Sequence, residues 1–245
     1  MRPVARGQSP QAGDFENYDE AKPELVSRLG RYCSYCERPI ATSLAVEHIQ
    51  PKGLPAYAHL EDRWENFLLA CVNCNSTKLN KDVLLESTLL PDRDNTFAAF
   101  DYPSDGHVTP SAEVMAAGLE GMARATLALT GLDKKIVKVL DANGKQVALD
   151  RVAQRLEVWG IAIEAHVDVI GSQGNEAVRK GAIRTAQTSG FFSIWMTVFQ
   201  NDIDMRSRLI DAFAGTRASQ CFDVVTTAPI SPAPNPDKLW SGGKL

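Results

Sequence analysis

The chain has 245 residues, 44% hydrophobic and 23% charged, with a net charge of −4 and a pI near 5.6. That is the make-up of an ordinary globular protein of one large or two small domains, and it argues against a protein that coats nucleic acid through bulk charge. A small active site needs only a local basic patch, so a nuclease is neither favoured nor excluded.

Residues 1 to 21 read as an N-terminal extension. They lack the apolar stretch of a signal peptide, and no run of about 18 apolar residues occurs anywhere, so the expected location is the cytoplasm, with no membrane span. Four of the five cysteines then fall into two Cys-x-x-Cys knuckles, Cys33/Cys36 and Cys71/Cys74. In a cytosolic chain, where disulfides rarely persist, paired knuckles point to a structural zinc ion held by four thiolates. A redox dithiol or coincidental buried cysteines are the competing readings. Cys221 stands alone and reads as a small buried hydrophobe.

The 34 residues between the knuckles, 37 to 70, exceed the about 15 to 20 of a plain zinc ribbon, so the metal must clamp an inserted unit. Leu44 to Ile49 is short, apolar and β-branched enough for a strand, and Pro51 and Gly53 break it. Asn66 to Ala70 reads as a second strand, and Cys71 to Lys78 as the opening turns of a helix.

With Glu47-His48 on the first strand, Asn66 on the second and Asn75 just after Cys74, this order resembles the zinc-stapled HNH, or ββα-metal, nucleases over roughly residues 22 to 81. The wider text (RYCSYCERPI, VEHIQPK, NFLLACVNCNSTK, LLPDRDNTF) is similar to HNH proteins encoded beside an ATPase in bacterial anti-phage systems of the Septu and retron type. The resemblance implies a DNA endonuclease leaving 5′-phosphate and 3′-hydroxyl ends, with an ATPase as protein partner.

The chemistry fits the residues. His48 suits the general base, since an ordinary pKa of about 6.5 leaves it mostly neutral in the cytosol. Glu47 and Asn75 offer only oxygen ligands, which suits Mg²⁺ with Mn²⁺ substituting. Many relatives have histidine in place of Asn75, and its loss should reduce any preference for softer metals. Asn66 is expected to fix the loop that carries His48. Lys78, near the expected start of the helix, could contact a phosphate, with Lys52 and Arg63 adding to it. Neighbouring residues on a regular strand point to opposite faces, so Glu47 and His48 should share one site only if the strand bends or bulges. Taken singly, Glu47-His48 could be a structural pair and Asn66 a turn cap. His59, His107 and His166 have no partner spacing and read as structural or surface residues. Pro91 to Asn95 reads as a surface turn, within which the resemblance would let Arg93 contact DNA or a partner.

Beyond residue 100 the chain reads as mostly helical. Met115, Leu119, Met122 and Leu129 form one stripe, and Val152, Leu156, Trp159, Ile163, Val167 and Ile170 another behind a cap at Asp150, both expected in the core. Asn143-Gly144, between Ile136–Asp141 and Lys145–Leu149, and Asp105-Gly106 are hairpin-turn signals. Phe191 to Phe199 reads as a buried central helix, with Asp202 capping the next. From Pro229 onward the composition suggests a loose tail on which Leu239-Trp240 could dock onto a partner, and no internal repeat is evident.

The expectation is an α+β protein: an extension at 1–21, a zinc-stapled ββα nuclease module at 22–100, a mostly helical domain at 101–228 and a tail at 229–245. The rival functions are a zinc-containing nucleic-acid or protein adaptor without catalysis, and an RNase using the same centre.

Overall fold

The computed structural model describes residues 1–42, 44–134 and 151–245. An irregular N-terminal segment reaches a 3₁₀ turn at Tyr18–Ala21 and passes into helix α1, Lys22–Leu29. Pro23 sits in the first turn, where no N–H is missed, and Gly30 ends the helix at φ 74°. Strands β1, Ala45–His48, and β2, Phe67–Ala70, pair antiparallel, with Glu47 opposite Leu68 and His48 opposite Phe67. Helix α2, Val72–Lys78, follows at once, its N-terminus capped by Cys71, whose Sγ accepts the Cys74 N–H at 3.5 Å. Next come α3, Thr96–Ala99, the short hairpin β3, Phe100–Asp101, and β4, Thr109–Pro110, and then α4, Ala112–Ala116, and α5, Glu120–Thr130. Four further helices close the chain: α6, Arg151–Gly171; α7, Glu176–Ser189; α8, Phe192–Val198; and α9, Ile203–Ala212. The fold is α+β. No helix among the described residues is long and apolar enough to cross a membrane.

One hydrophobic cluster takes in Leu25 of α1, Phe67 of β2, Ala162 of α6, Trp195 of α8 and Leu209 of α9. The ribbon and the helical region therefore share a core. Helix α8 belongs to it, with Phe192, Ile194, Trp195 and Met196 all buried, and the Asp202 carboxylate accepts the Met205 N–H to cap α9. Asp105-Gly106 lies in the loop joining β3 to β4, with Gly106 at φ 75°. The hairpin expected around Asn143-Gly144 and the cap at Asp150 lie outside the described residues.

The α6 stripe departs from expectation. Val152 is buried, but Leu156, Ile163, Val167 and Ile170 are 39, 42, 62 and 67% exposed. The helix buries Val158, Ala162 and Val169 instead. Helical periodicity finds apolar faces without ranking them, and α6 carries two. The other stripe is divided by Gly118 between α4 and α5: Leu129 is buried, Leu119 and Met122 half-buried, and Met115 49% exposed.

Both ends of the chain are tied into the body. Val4 donates its N–H to Pro91 O at 2.7 Å, and the Arg6 guanidinium pairs with buried Asp92 at 2.7 Å. Leu245, in the expected loose tail, is buried, and its carbonyl accepts the N–H groups of Asn95 and Ala233, each at 2.9 Å. Asp92, Arg93, Asp94 and Asn95 are thus a buried polar hub and not a surface turn. Turn-forming composition does not distinguish the two, because the same side chains that bend the backbone can accept bonds from distant segments.

The structure also contains a repeated motif. At the first knuckle Tyr32 bridges Pro39, Cys33 N–H donates to Arg38 O at 3.0 Å, Glu37 N–H to Cys33 O at 2.9 Å and Ile40 N–H to Arg31 O at 2.9 Å. Near the C-terminus Phe222 bridges Pro229, Asp223 N–H donates to Ala228 O at 2.8 Å, Thr227 N–H to Asp223 O at 2.9 Å and Ile230 N–H to Cys221 O at 2.9 Å. Glu37 and Thr227 even share a left-handed φ, 65° and 59°. Asp223 and Thr226 stand where the first knuckle has Cys33 and Cys36. The Asp223 carboxylate accepts the N–H groups of Val225 and Thr226 and the Thr226 hydroxyl at 2.7 to 3.0 Å, tying the turn without thiolates.

Candidate active site

The two cysteine knuckles converge beneath the ribbon. Their four sulfurs lie within 4.8 Å of one another, all four residues are buried, and Cys36 Sγ is 3.7 Å from Cys71 Sγ. A tetrahedral zinc site with bonds of ~2.3 Å has sulfur–sulfur edges of about 3.8 Å, so the cluster fits a structural zinc ion.

Above the staple, a cleft of about 470 Å³ runs along β1 and the N-terminal 3₁₀ turn. Glu47, His48, Lys52, Asn75 and Lys78 all line it, together with Tyr18, Asp19 and Lys22. No bulge brings Glu47 and His48 together, since the β1–β2 register is unbroken. The expected bulge is unnecessary because, among the described residues, β1 pairs on one side only and its other edge forms the cleft wall, within reach of side chains from either face.

His48 is 9% exposed, and its Nε2 lies 2.7 Å from the Glu61 carbonyl oxygen. A carbonyl only accepts, so Nε2 carries the proton and Nδ1 holds the free lone pair. Burial lowers the His48 pKa below 6.5, and the charges of Lys52 and Lys78 act in the same sense against the Glu61 carbonyl. Asn66 fixes the loop from the other side: its Oδ1 accepts the Gln50 N–H at 2.8 Å, and its Nδ2 donates to the carbonyls of Gln50 at 2.9 Å and Leu60 at 3.2 Å. It holds both the chain leaving His48 and the chain entering Glu61.

Glu47 is 1% exposed, and burial raises its carboxyl pKa against the pull of Lys78. Its Oε1 is 2.9 Å from Lys78 Nζ and accepts the Tyr35 hydroxyl at 3.4 Å, while Oε2 has no hydrogen-bond partner among the described residues. The Asn75 side chain, half-buried at the cleft, likewise has none. One carboxylate oxygen and one amide oxygen are thus free for a hard divalent cation, and the donor set fits Mg²⁺ or Mn²⁺.

The structure sets two of the expected phosphate contacts in surroundings that the sequence did not indicate. Lys78 ends α2 and does not begin it, and the residue is buried, its ammonium donating to His48 O at 2.6 Å as well as pairing with Glu47. Arg63 lies on the opposite side of the catalytic loop, in a second groove of about 500 Å³, and pairs with Asp14 at 3.4 Å. Lys52 remains at the cleft, its Nζ 2.6 Å from the Glu61 carboxylate. Arg93 is also spoken for, donating to Asp92 and to Trp240 O. His59 lines the second groove, His107 pairs with Asp105, and His166 packs on Phe199, so none joins the cleft.

Sequence reasoning missed two contributors. Glu61 orients His48 through its backbone carbonyl, which any residue type could supply. Tyr18, from the expected extension, places its ring 4.8 Å from that of His48 and carries no motif signal.

The geometry describes a ββα unit stapled by four clustered cysteines, with a buried imidazole beside oxygen donors. Residues 33–81 match the family model of the HNH endonucleases, which points to a nuclease, a hydrolase that binds nucleic acid. No curated protein matches the chain.

Proposed function

We propose that the chain is a Mg²⁺- or Mn²⁺-dependent endonuclease of DNA, acting in the cytosol and carried by the module at residues 22–100. The observation behind this reading is the His48 imidazole, its lone pair on Nδ1, sharing one cleft with the free oxygens of Glu47 and Asn75. His48 takes the proton of the attacking water at Nδ1, Asn66 holds the loop so that the imidazole stays in place, and Lys52 meets the substrate's phosphate. Glu47 and Asn75 would hold the divalent ion, which would neutralise charge developing on the phosphate and the leaving group. Attack of the water oxygen on phosphorus breaks the P–O3′ bond and the 3′ oxygen takes a proton from solvent, so the products are a 5′-phosphate and a 3′-hydroxyl.

The apolar face exposed on α6 supports a protein partner, and the resemblance to defence-system nucleases makes an ATPase the partner to test, with an anti-phage role. Purified protein should cut DNA with Mg²⁺ or Mn²⁺ and not with EDTA, and His48→Ala should not cut. Preferential cleavage of matched RNA would move the substrate to RNA. Binding without cleavage under every metal and partner condition would leave a zinc adaptor.

A further inference from the structure

Tyr18 lies outside residues 33–81, the segment that matches the nuclease family, yet it forms a wall of the cleft. Its ring meets the His48 imidazole edge-on, with centroids 4.8 Å apart at 70°. Phe67 does the same from β2, at 5.4 Å and 89°. Lys52 Nζ sits 3.9 Å from the Tyr18 ring centroid and bonds the Glu61 carboxylate, and the Glu61 carbonyl accepts the hydrogen bond from His48 Nε2. Tyr18 is itself anchored, its backbone N–H donating to Asp62 Oδ1 at 2.8 Å. His48, Glu61, Lys52 and Tyr18 thus close a ring of contacts.

A single hydrogen bond at Nε2 leaves an imidazole free to swing about that bond, whereas two aromatic rings packed against it remove the freedom. We propose that Tyr18 is a positioning residue of the active centre: its ring, with Phe67, holds the His48 imidazole at one orientation so that Nδ1 points at the water. The role belongs to the ring and not to the phenol hydroxyl. It rests on the nuclease reading above.

The test compares Tyr18→Phe, which keeps the ring, with Tyr18→Leu, which keeps apolar bulk without it. Tyr18→Met serves the same purpose should leucine perturb folding, as judged by melting and zinc content. Tyr18→Phe should keep kcat within about twofold, and Tyr18→Leu should lower kcat about tenfold or more with KM little changed, the pattern of a misplaced catalytic group. The proposal is overturned if Tyr18→Leu keeps the wild-type kcat, if its loss lies in KM alone, or if Tyr18→Phe loses as much. A readout without substrate separates the two readings. The His48 imidazole proton signals, assigned with His48→Ala, should broaden and lose their ring-current shift in Tyr18→Leu and not in Tyr18→Phe. If the wild type cuts no nucleic acid, the nuclease reading fails, while unchanged His48 signals in Tyr18→Leu would overturn the positioning role by themselves.

Discussion

Lys78 Nζ lies 2.9 Å from Glu47 Oε1, and the two side chains are only 3% and 1% exposed. The pair is a buried ion pair placed where the cleft meets the zinc staple. Removing one partner strands the other charge away from water. Lys78→Met should therefore destabilise the protein by about 3 kcal/mol, the low end for breaking a buried pair, whereas the double change Lys78→Met with Glu47→Gln should recover much of that loss. Urea unfolding of the two variants and the wild type measures it. Equal stability of Lys78→Met and wild type would show that the pair does not hold in solution.

The same pair changes how Glu47 should be probed. Glu47→Ala would strand the Lys78 ammonium and confuse folding with catalysis. Glu47→Gln keeps the shape and an oxygen to accept the Lys78 N–H, so it should cost less stability than Glu47→Ala while still leaving the ammonium without its counter-charge, and it should raise the Mg²⁺ concentration needed for half-maximal cleavage. An unchanged metal requirement would remove Glu47 from the ligand set.

His48→Ala should keep folding and zinc content and lower cleavage by about two to four orders of magnitude, the usual contribution of a positioned base. The folded-state pKa of His48 is lowered, so the free base persists below pH 6.5. The rate should rise with pH, with a midpoint below 6.5, and be level above. The sign for stability follows: the unfolded chain takes up this proton first, so His48 destabilises the fold as pH drops below 6.5 and has no such effect above it. A rate midpoint above 6.5 would contradict the burial argument.

Asn66→Ala removes three hydrogen bonds that fasten the strands of the catalytic loop. Since Leu60 adjoins Glu61, the His48 anchor should loosen, and kcat should fall more than KM rises. Steady-state kinetics on one DNA substrate decides between this and a KM effect alone.

Much of the centre was legible in the sequence because its residues act through their side chains. Cysteine spacing located the staple, breakers around a β-branched run located β1, and Glu47, His48 and Asn75 carry chemistry that no neighbouring residue offers. What escaped acts otherwise. Glu61 contributes a backbone carbonyl, and Tyr18 arrives from a segment without a motif. Lys78 turned inward because α2 stops after two turns, with Leu79 at φ 45°. Asp92 to Asn95 looked like a surface turn because their partners, Arg6 and Lys244, sit near opposite ends of the chain. The α6 faces could be ranked only once α7 and α8 had taken one of them.

The two knuckles, alike in backbone and different in fastening, should fail under different stresses. Cys33→Ser, a strong chelator or thiol oxidation should release about one zinc ion per chain and open the turn around Cys33, which metal analysis and hydrogen exchange would register. The turn around Asp223 should stay closed under all three. Hydrogen bonds from the Thr226 N–H and its neighbours hold the Asp223 carboxyl below the usual range, so that tie is complete above pH 3.8 and yields only as acid lowers the pH through the depressed pKa. Starvation for zinc or an oxidising burst would therefore reach the catalytic loop, leaving the knuckle near the C-terminus closed. In a cell, such stresses would switch off the chemistry before they dismantled the fold around the Asp223 knuckle.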